Sequence, residues 1–522
     1  MLDFLLVGEI NDGQIRLFIM IGYLLLLLLL GFSASRFFRG TKTDYQLASH
    51  SIGPFLLLMS MFGTTMTAFA LVGSTGESYK HGIGVYALMA SASGIIHSLC
   101  FFLIGVKIYQ FGRKYNYSTQ VQFFRDRLNS DLIGLLLFPI LVGLIIPYLL
   151  IGVIASGTTI EAMTSGALPV WVSENGSVPP WLGSLAVCLV VLTYVFFGGM
   201  RGTAWANAFQ TTVFMVLGII TFYLLAMKMG EGETLLASME NLNERLSIGH
   251  SSRQNMSISK YVSYMLIPLS VAMFPHLFQH WLTAKDAKSF RAPVILHPIF
   301  IMLVWAPCVL IGAWATTTGI PIDNPNKVLP LLVNSQIGAL MGGFLTAGIL
   351  AAIMSSLDSQ FLCVGTMFSS DIMTHYFGRD RLSDRAQLFY SRLFIVGIVA
   401  VTYALSLLDS SRSVFAMAVW CFSGFTGLFP IVFAALYWKR LTAAGALSGT
   451  LAMFGSWLYL FWQSSWGADP EFVVYLWQHK LPVMPVTVIL MCSTGAMIIT
   501  SLLTRKPPQE TLDRFFPPDT SS

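Results

Sequence analysis

The sequence predicts an all-α polytopic membrane protein of about thirteen spans, and three observations predict it. Hydrophobic residues make up 55% of the 522 and charged residues only 11%, where soluble domains carry about a quarter charged. Mean hydropathy is +0.70. Apolar segments of crossing length, about 20 residues, recur along the whole chain.

Taken in order, thirteen such segments cover 15–35, 55–76, 84–108, 132–155, 181–197, 208–227, 261–282, 294–316, 338–366, 393–408, 414–438, 443–462 and 483–503. Basic residues collect on the cytoplasmic side of membrane helices. With strict alternation and the amino terminus outside, 21 of the 30 basic residues fall in inside loops and 9 outside. That asymmetry places the carboxyl terminus inside. The acidic residues Asp3, Glu9 and Asp12 argue against a cleavable signal peptide. Cys100, Cys188, Cys308, Cys363, Cys421 and Cys492 stand singly in apolar spans and read as packing. The net charge of +5 is scattered over short loops, so nothing points to nucleic acid. No fused output domain is expected after residue 504.

The second segment is the least ordinary. Phe62-Gly-Thr-Thr-Met-Thr-Ala-Phe69 puts a glycine and three threonines at mid-membrane depth. Loosened backbone and bare hydroxyls are tolerated there only where they line a protein-enclosed cavity, so a helix break is expected. Five segments later, the seventh carries Pro268 and Pro275, with Ser263, Ser270 and His276 around them. Because five is odd, these two segments cross in opposite directions. Paired interruptions in opposed spans mark the binding site of inverted-repeat transporters.

The ninth segment supplies a third part. In Ala351-Ala-Ile-Met-Ser-Ser-Leu-Asp-Ser-Gln360, the residues Ala352, Ser355, Ser356 and Ser359 fall at i, i+3, i+4 and i+7 on one helix face. Such a stripe serves equally as a close helix contact or as oxygen ligands for a hard cation. Asp358 beside it is an intramembrane carboxylate, a functional candidate by default. His97, His280 and His297 share no spacing and receive no role.

These motifs resemble the sodium:solute symporter family, the group of the sodium/proline, sodium/pantothenate and sodium/galactose transporters. The resemblance runs over about 43–447 and rests on four pieces in the family's order. They are Gly198-Gly-Met-Arg-Gly-Thr-Ala-Trp-Ala-Asn-Ala-Phe-Gln210, Phe274-Pro-His-Leu-Phe-Gln-His-Trp-Leu-Thr-Ala-Lys-Asp286, Ala351–Ser359, and Leu428-Phe-Pro with the later Tyr437-Trp-Lys-Arg-Leu-Thr-Ala-Ala-Gly-Ala446. It implies a ten-helix inverted repeat of the leucine-transporter type: an extra helix in 1–50, repeats in 51–230 and 259–440, two further helices in 441–503, and a tail over 504–522. It also implies a sodium site from the carbonyls of Gly63, Met66 and Ala352 and the hydroxyls of Ser355 and Ser356.

One departure stands out. Asn207 occupies a position where members with a second sodium carry aspartate, so one sodium per cycle is expected. Asn207, Asp358 and Ser359 remain a candidate second-ion or coupling site. Asp358 and His276 can titrate, which keeps a proton open as an alternative coupling ion.

For the solute, the candidate contacts are Thr65, Thr67, Phe69, Ala70, Ser270, Val271 and His276. The facing positions Ala68, Ala87, Leu88, Ala272 and Met273 are apolar. Unpaired buried polar groups are costly, which disfavours a sugar and favours an amino acid or monocarboxylate. Phe69, Tyr264, Trp281 and Trp420 are candidate lids. Arg201 reads as an inside-facing anchor. The expected protein is a sodium-coupled importer, functional as a monomer in the plasma membrane, with a solute sensor on the same fold as the rival. No catalytic motif suggests an enzyme.

Overall fold

The computed structural model describes residues 10–517 except 37–39, 87–91, 255, 379–382, 409–411, 470–471 and 477–480. Among them, ten helices are long and apolar enough to cross a membrane, and two further bent pairs pass the same test. α1 (Asp12–Ser35) leads in. The first bent pair follows as α2 (Pro54–Thr65) and, after a wide turn over Phe69–Gly73, α3 (Ser74–His81). Then come α4 (Ser93–Tyr115), α5 (Asp131–Met163) and α6 (Pro180–Gly230). The second bent pair is α7 (Ile258–Tyr264), extended by a tight 3-10 stretch over Ile267–Ala272, and α8 (Pro275–Thr283). α9 (Arg291–Ala315), α10 (Ala339–Met367), α11 (Asp384–Ser406), α12 (Val414–Tyr437), α13 (Ala443–Gln463) and α14 (Pro485–Leu503) complete the apolar helices. Between the last two, β1 (Val474–Leu476) and β2 (Leu481–Val483) pair antiparallel, with Tyr475 opposite Pro482. The loop was not expected to hold strands.

Burial sorts these helices into a centre and a rim. The most apolar stretches of α10 and α12 are 83% buried, whereas those of α1 and α14 are 28% buried. α6 packs along both α10 and α1, and α14 packs along α13 and α12. A helix apolar all round is one that lipid or protein covers entirely, so α10 and α12 form the inner wall and α1 and α14 meet lipid.

Two expectations need correction. The segments 181–197 and 208–227 are joined without a loop: α6 is two helices that meet end to end at Gly199. Its two halves turn at Gly199, whose φ of 54° and ψ of −155° are open to glycine. A Cβ there would lie 2.6 Å from the Tyr45 ring and 2.9 Å from the Tyr45 carbonyl. The polar Arg201 imitated a loop in the sequence. It is instead helical and clamps the corner, with Nη2 2.8 Å from the Asp44 carboxylate and 3.3 Å from the Ala48 carbonyl, in keeping with an anchor. The second correction is smaller: five cysteines are buried as expected, but Cys492 is exposed.

Candidate functional site

The first bent pair turns by 52° and the second by 48°. Their causes differ. At the first break, from Thr65 to Phe69, no proline is present. The Met66 amide still bonds back to Phe62 at 2.9 Å, but Met66 itself takes φ −87° and ψ 80°, outside the helical range. The Thr67 hydroxyl then accepts the Phe69 amide at 3.0 Å and restarts the chain as a cap would. The second break is proline-made. Phe274, before Pro275, is extended (φ −63°, ψ 115°), and Pro275 is the first residue of α8, the position that needs no amide hydrogen.

Carbonyls released at the first break need new donors. Ser355 Oγ, on α10, donates to the Gly63 carbonyl at 2.9 Å and lies 3.0 Å from the Ala352 carbonyl. Gly63, Ala352 and Ser355 therefore meet across the α2–α10 contact, all buried. Ser356 is buried beside them, its hydroxyl turned onto the Ile353 carbonyl at 2.9 Å. Gly63 has no room for a side chain: a Cβ would stand 2.3 Å from Thr211 Oγ1. That threonine is itself fixed by a 3.0 Å bond to the Met59 carbonyl. Thr211 was missed in the sequence, although its i+4 spacing from Asn207 places both on one face of α6.

One turn further along α10 lies a polar cluster. With both ends of its amide satisfied, Asn207 Nδ2 donates to the two Asp358 carboxylate oxygens at 3.1 and 3.2 Å and to the Ser355 carbonyl at 2.9 Å. Its oxygen accepts from Ser359 Oγ at 2.9 Å. Tyr194 Oη donates to Asp358 Oδ2 at 3.0 Å. His280 Nε2, on α8, lies 3.1 Å from Ser359 Oγ. The Asp358 carboxylate is fully buried, and its hydrogen bonds come from neutral groups. Asn207, Asp358 and Ser359 are thus brought together. Tyr194 and His280 join them without any sequence signal, because contacts between distant helices leave no periodic trace.

Between the two breaks lies a different environment. Phe69 stacks on Phe415 at 5.3 Å and meets Phe422 edge-on at 5.3 Å. Phe274 and Phe422 both pack on Tyr148, at 5.2 and 5.0 Å. His276 is fully buried between Tyr148 and Phe274, and among the described residues neither ring nitrogen has a hydrogen-bond partner. Ala70, Ser270 and Val271 are buried on the same two broken spans. The hydroxyls of Thr65 and Thr67 face backbone groups of their own segment. Of the candidate lids, Phe69 lies in this cluster and Tyr264 stacks on Phe415 at 6.2 Å. Trp281 does not: it packs against Phe101 and Phe278. Trp420 packs on Phe461 and Phe472 instead. Ala87 and Leu88 lie outside the described residues. His97 and His297, left without a role, bond to each other at 3.1 Å.

Residues 45–453 match the model of the sodium:solute symporter family. The chain belongs to that family. A sodium/proline symporter of Staphylococcus aureus (strain JH9) is 24% identical over 456 residues, covering 84% of this chain and 85% of the relative. Among solved structures, a substrate-bound, outward-open sodium-coupled sialic acid symporter aligns over 96% of this chain and 100% of its own, with a TM-score of 0.72 at 17% identity. A nucleobase-cation-symport-1 family transporter in a closed conformation aligns over 90% of this chain and 97% of its own, with a TM-score of 0.56 at 12% identity. At such identities the likeness shows the fold: this symporter has the leucine-transporter architecture. It is a polytopic membrane transporter, and sodium is its coupling ion.

Proposed function

We propose that this symporter imports a small organic solute with one sodium ion per cycle by alternating access. The sodium is held by the carbonyls of Gly63, Met66 and Ala352 and the hydroxyls of Ser355 and Ser356. The solute is an amino acid or monocarboxylate, seated between the two breaks against Phe69, Ala70, Ser270, Val271 and His276, with Thr65 and Thr67 shaping the backbone there. The chain makes thirteen crossings, amino terminus outside, as two inverted repeats (51–230 and 259–440). It works as a monomer in the plasma membrane and catalyses no chemical reaction.

The observation that carries this reading is the Ser355 hydroxyl on the Gly63 carbonyl, 2.9 Å across the first break. An oxygen released by one helix faces an alcohol of another, and a hard cation takes both as ligands. A sugar is disfavoured because a polyol needs many buried partners, whereas Thr65 and Thr67 are engaged with backbone and the surrounding side chains are aromatic. Asn207 in place of aspartate supports the count of one sodium. A reversal potential giving two per solute would mean that the adjoining Asp358 carboxylate replaces it.

The test is uptake of L-proline, L-alanine, propionate and galactose into proteoliposomes, with an inward sodium gradient or with potassium in its place. Sodium-driven uptake of an amino acid or propionate, and none of galactose, is expected. Binding without uptake would favour the sensor reading, for which Asn207 is the one supporting observation.

A further inference from the structure

Between α4 and α5 lies a short helix, Gln120–Leu128, that reaches three of the apolar helices at once. Gln120 Nε2 donates to the Met273 carbonyl at 3.4 Å, beside the second break. Phe123 packs on Phe278 of α8 at 6.2 Å. Arg125 Nη1 donates to the Asp371 carbonyl at 3.1 Å, and Thr119 Oγ1 to the Asp371 carboxylate at 2.7 Å, in the wide turns that continue α10. Arg127 is fully buried. It donates from Nε to the Ala435 carbonyl at 2.8 Å and from Nη2 to the Trp438 carbonyl at 3.3 Å, where α12 runs out of its own donors. In the orientation proposed above, these are the inner ends of α8, α10 and α12, and the short helix lies across them.

The far end of the chain grips this helix from its other side. Residues Gln509–Phe515 form one more short helix after Pro507-Pro508. Phe515, only 4% exposed, is sunk among Phe111, Tyr115 and Phe123 at 5.1, 5.6 and 6.2 Å. Arg514 Nη2 lies 2.7 Å from the Asp126 carboxylate, and the Tyr115 hydroxyl donates to the Arg514 carbonyl at 3.0 Å. Phe516 faces the Arg127 guanidinium at 5.0 Å. Phe123 and Arg127 thus carry the terminal segment on one side and the ends of α8 and α12 on the other. Seven residues are too few for a helix to persist alone, so docking is what orders the segment. Its grip is one buried ring and one ion pair whose side chains are 40% and 29% exposed. An exposed pair adds little, so the grip biases an equilibrium without fixing it.

We propose that residues 509–516 are a latch on the inner gate. Docked, the segment holds the short helix against α8, α10 and α12 and keeps the inner route from the cluster around His276 closed. Undocked, it frees that helix to move as the inner ends part. The inference rests on alternating access, since a carrier that opens in turn to both sides needs its inner ends to separate.

The experiment uses the full chain as wild type, Phe515→Ala, Arg514→Gln and the control Arg505→Gln, whose side chain is exposed outside the latch. Each protein is first checked for a monodisperse elution peak. Two readouts follow the inner gate: hydrogen–deuterium exchange over 120–128 and 275–283, and alkylation of Cys363 by N-ethylmaleimide, mapped by peptide mass. Cys363 is buried one turn before Thr366, whose hydroxyl accepts from Gln279 of α8 at 2.9 Å, so parting of α8 from α10 uncovers it. Phe515→Ala should raise both rates roughly tenfold and Arg514→Gln roughly threefold, with exchange in α1 and the Arg505→Gln protein unchanged. Unchanged rates in both latch variants overturn the proposal. Faster exchange spread over every helix overturns it too, because the segment is then a general brace. Sodium-driven uptake of L-proline, L-alanine and propionate by wild type is measured alongside. No movement of any probe, with the contrast between variants intact, faults the symport reading while the gate contact stands; uptake without the contrast does the opposite.

Discussion

The two broken spans solve the same backbone problem by opposite means. At Met66 the helix gives way without a proline, and the loose ends are taken up by polar neighbours: Ser355 on the Gly63 carbonyl, Thr67 on the Phe69 amide. At Phe274 a proline imposes the break, and what gathers round it is aromatic, with a histidine whose ring nitrogens have no hydrogen-bond partner among the described residues. The first break presents oxygens fixed in place. The second presents ring faces and one polar group that still needs a partner. In the function we propose, the ion sits at the first break and the organic solute beside the second, so that the asymmetry divides the labour of symport between the two breaks.

The largest expected effect that separates the two is Gly63→Ala. Its Cβ would lie 2.3 Å from Thr211 Oγ1, and forcing an extra carbon into a packed core costs about 1–3 kcal/mol. Sodium-driven uptake should fall by about tenfold or more, and near-normal uptake would show that the α2–α6 contact has slack. Tyr194→Phe comes next, because it removes a hydrogen bond to the buried Asp358 carboxylate. A loss of about 0.5–1.5 kcal/mol is expected for one buried hydrogen bond, read as a lower melting temperature of the purified protein; an unshifted melt would mean that Asn207 and Ser359 suffice to hold the Asp358 side chain.

His276→Phe sharpens the comparison from the other side. It should change solute half-saturation severalfold without moving that of sodium, and a matching shift in both would merge the two sites. The smallest effect is at Thr67→Val, which deletes the hydroxyl cap on Phe69. About 1 kcal/mol of stability is at stake, measurable by thermal unfolding, and no change would assign the restart of the chain to packing alone.

Both breaks were legible because each violates its surroundings: a glycine and three threonines in an apolar span, and two prolines in another. The face of α10 was legible through spacing, since helical geometry alone puts Ala352, Ser355 and Ser359 in one line. Residues that reach these positions from elsewhere were not. Tyr194, Thr211 and His280 sit on helices whose relative placement no local pattern encodes, and His97 finds His297 two hundred residues away. The corner at Gly199 was misread for a related reason. Hydropathy registers the charge of Arg201 but not the backbone angle at Gly199 that lets two helices meet there without a loop, nor Asp44, which neutralises it.

Everything turns on whether the oxygens at the first break hold the ion. Equilibrium binding of radioactive sodium to the purified protein, without any solute, tests this directly in wild type and Ser355→Ala. Loss of one oxygen from so small a cage should weaken sodium binding about tenfold, roughly the 1.4 kcal/mol of one lost ligand interaction. Superimposable binding curves for the two proteins would contradict the account.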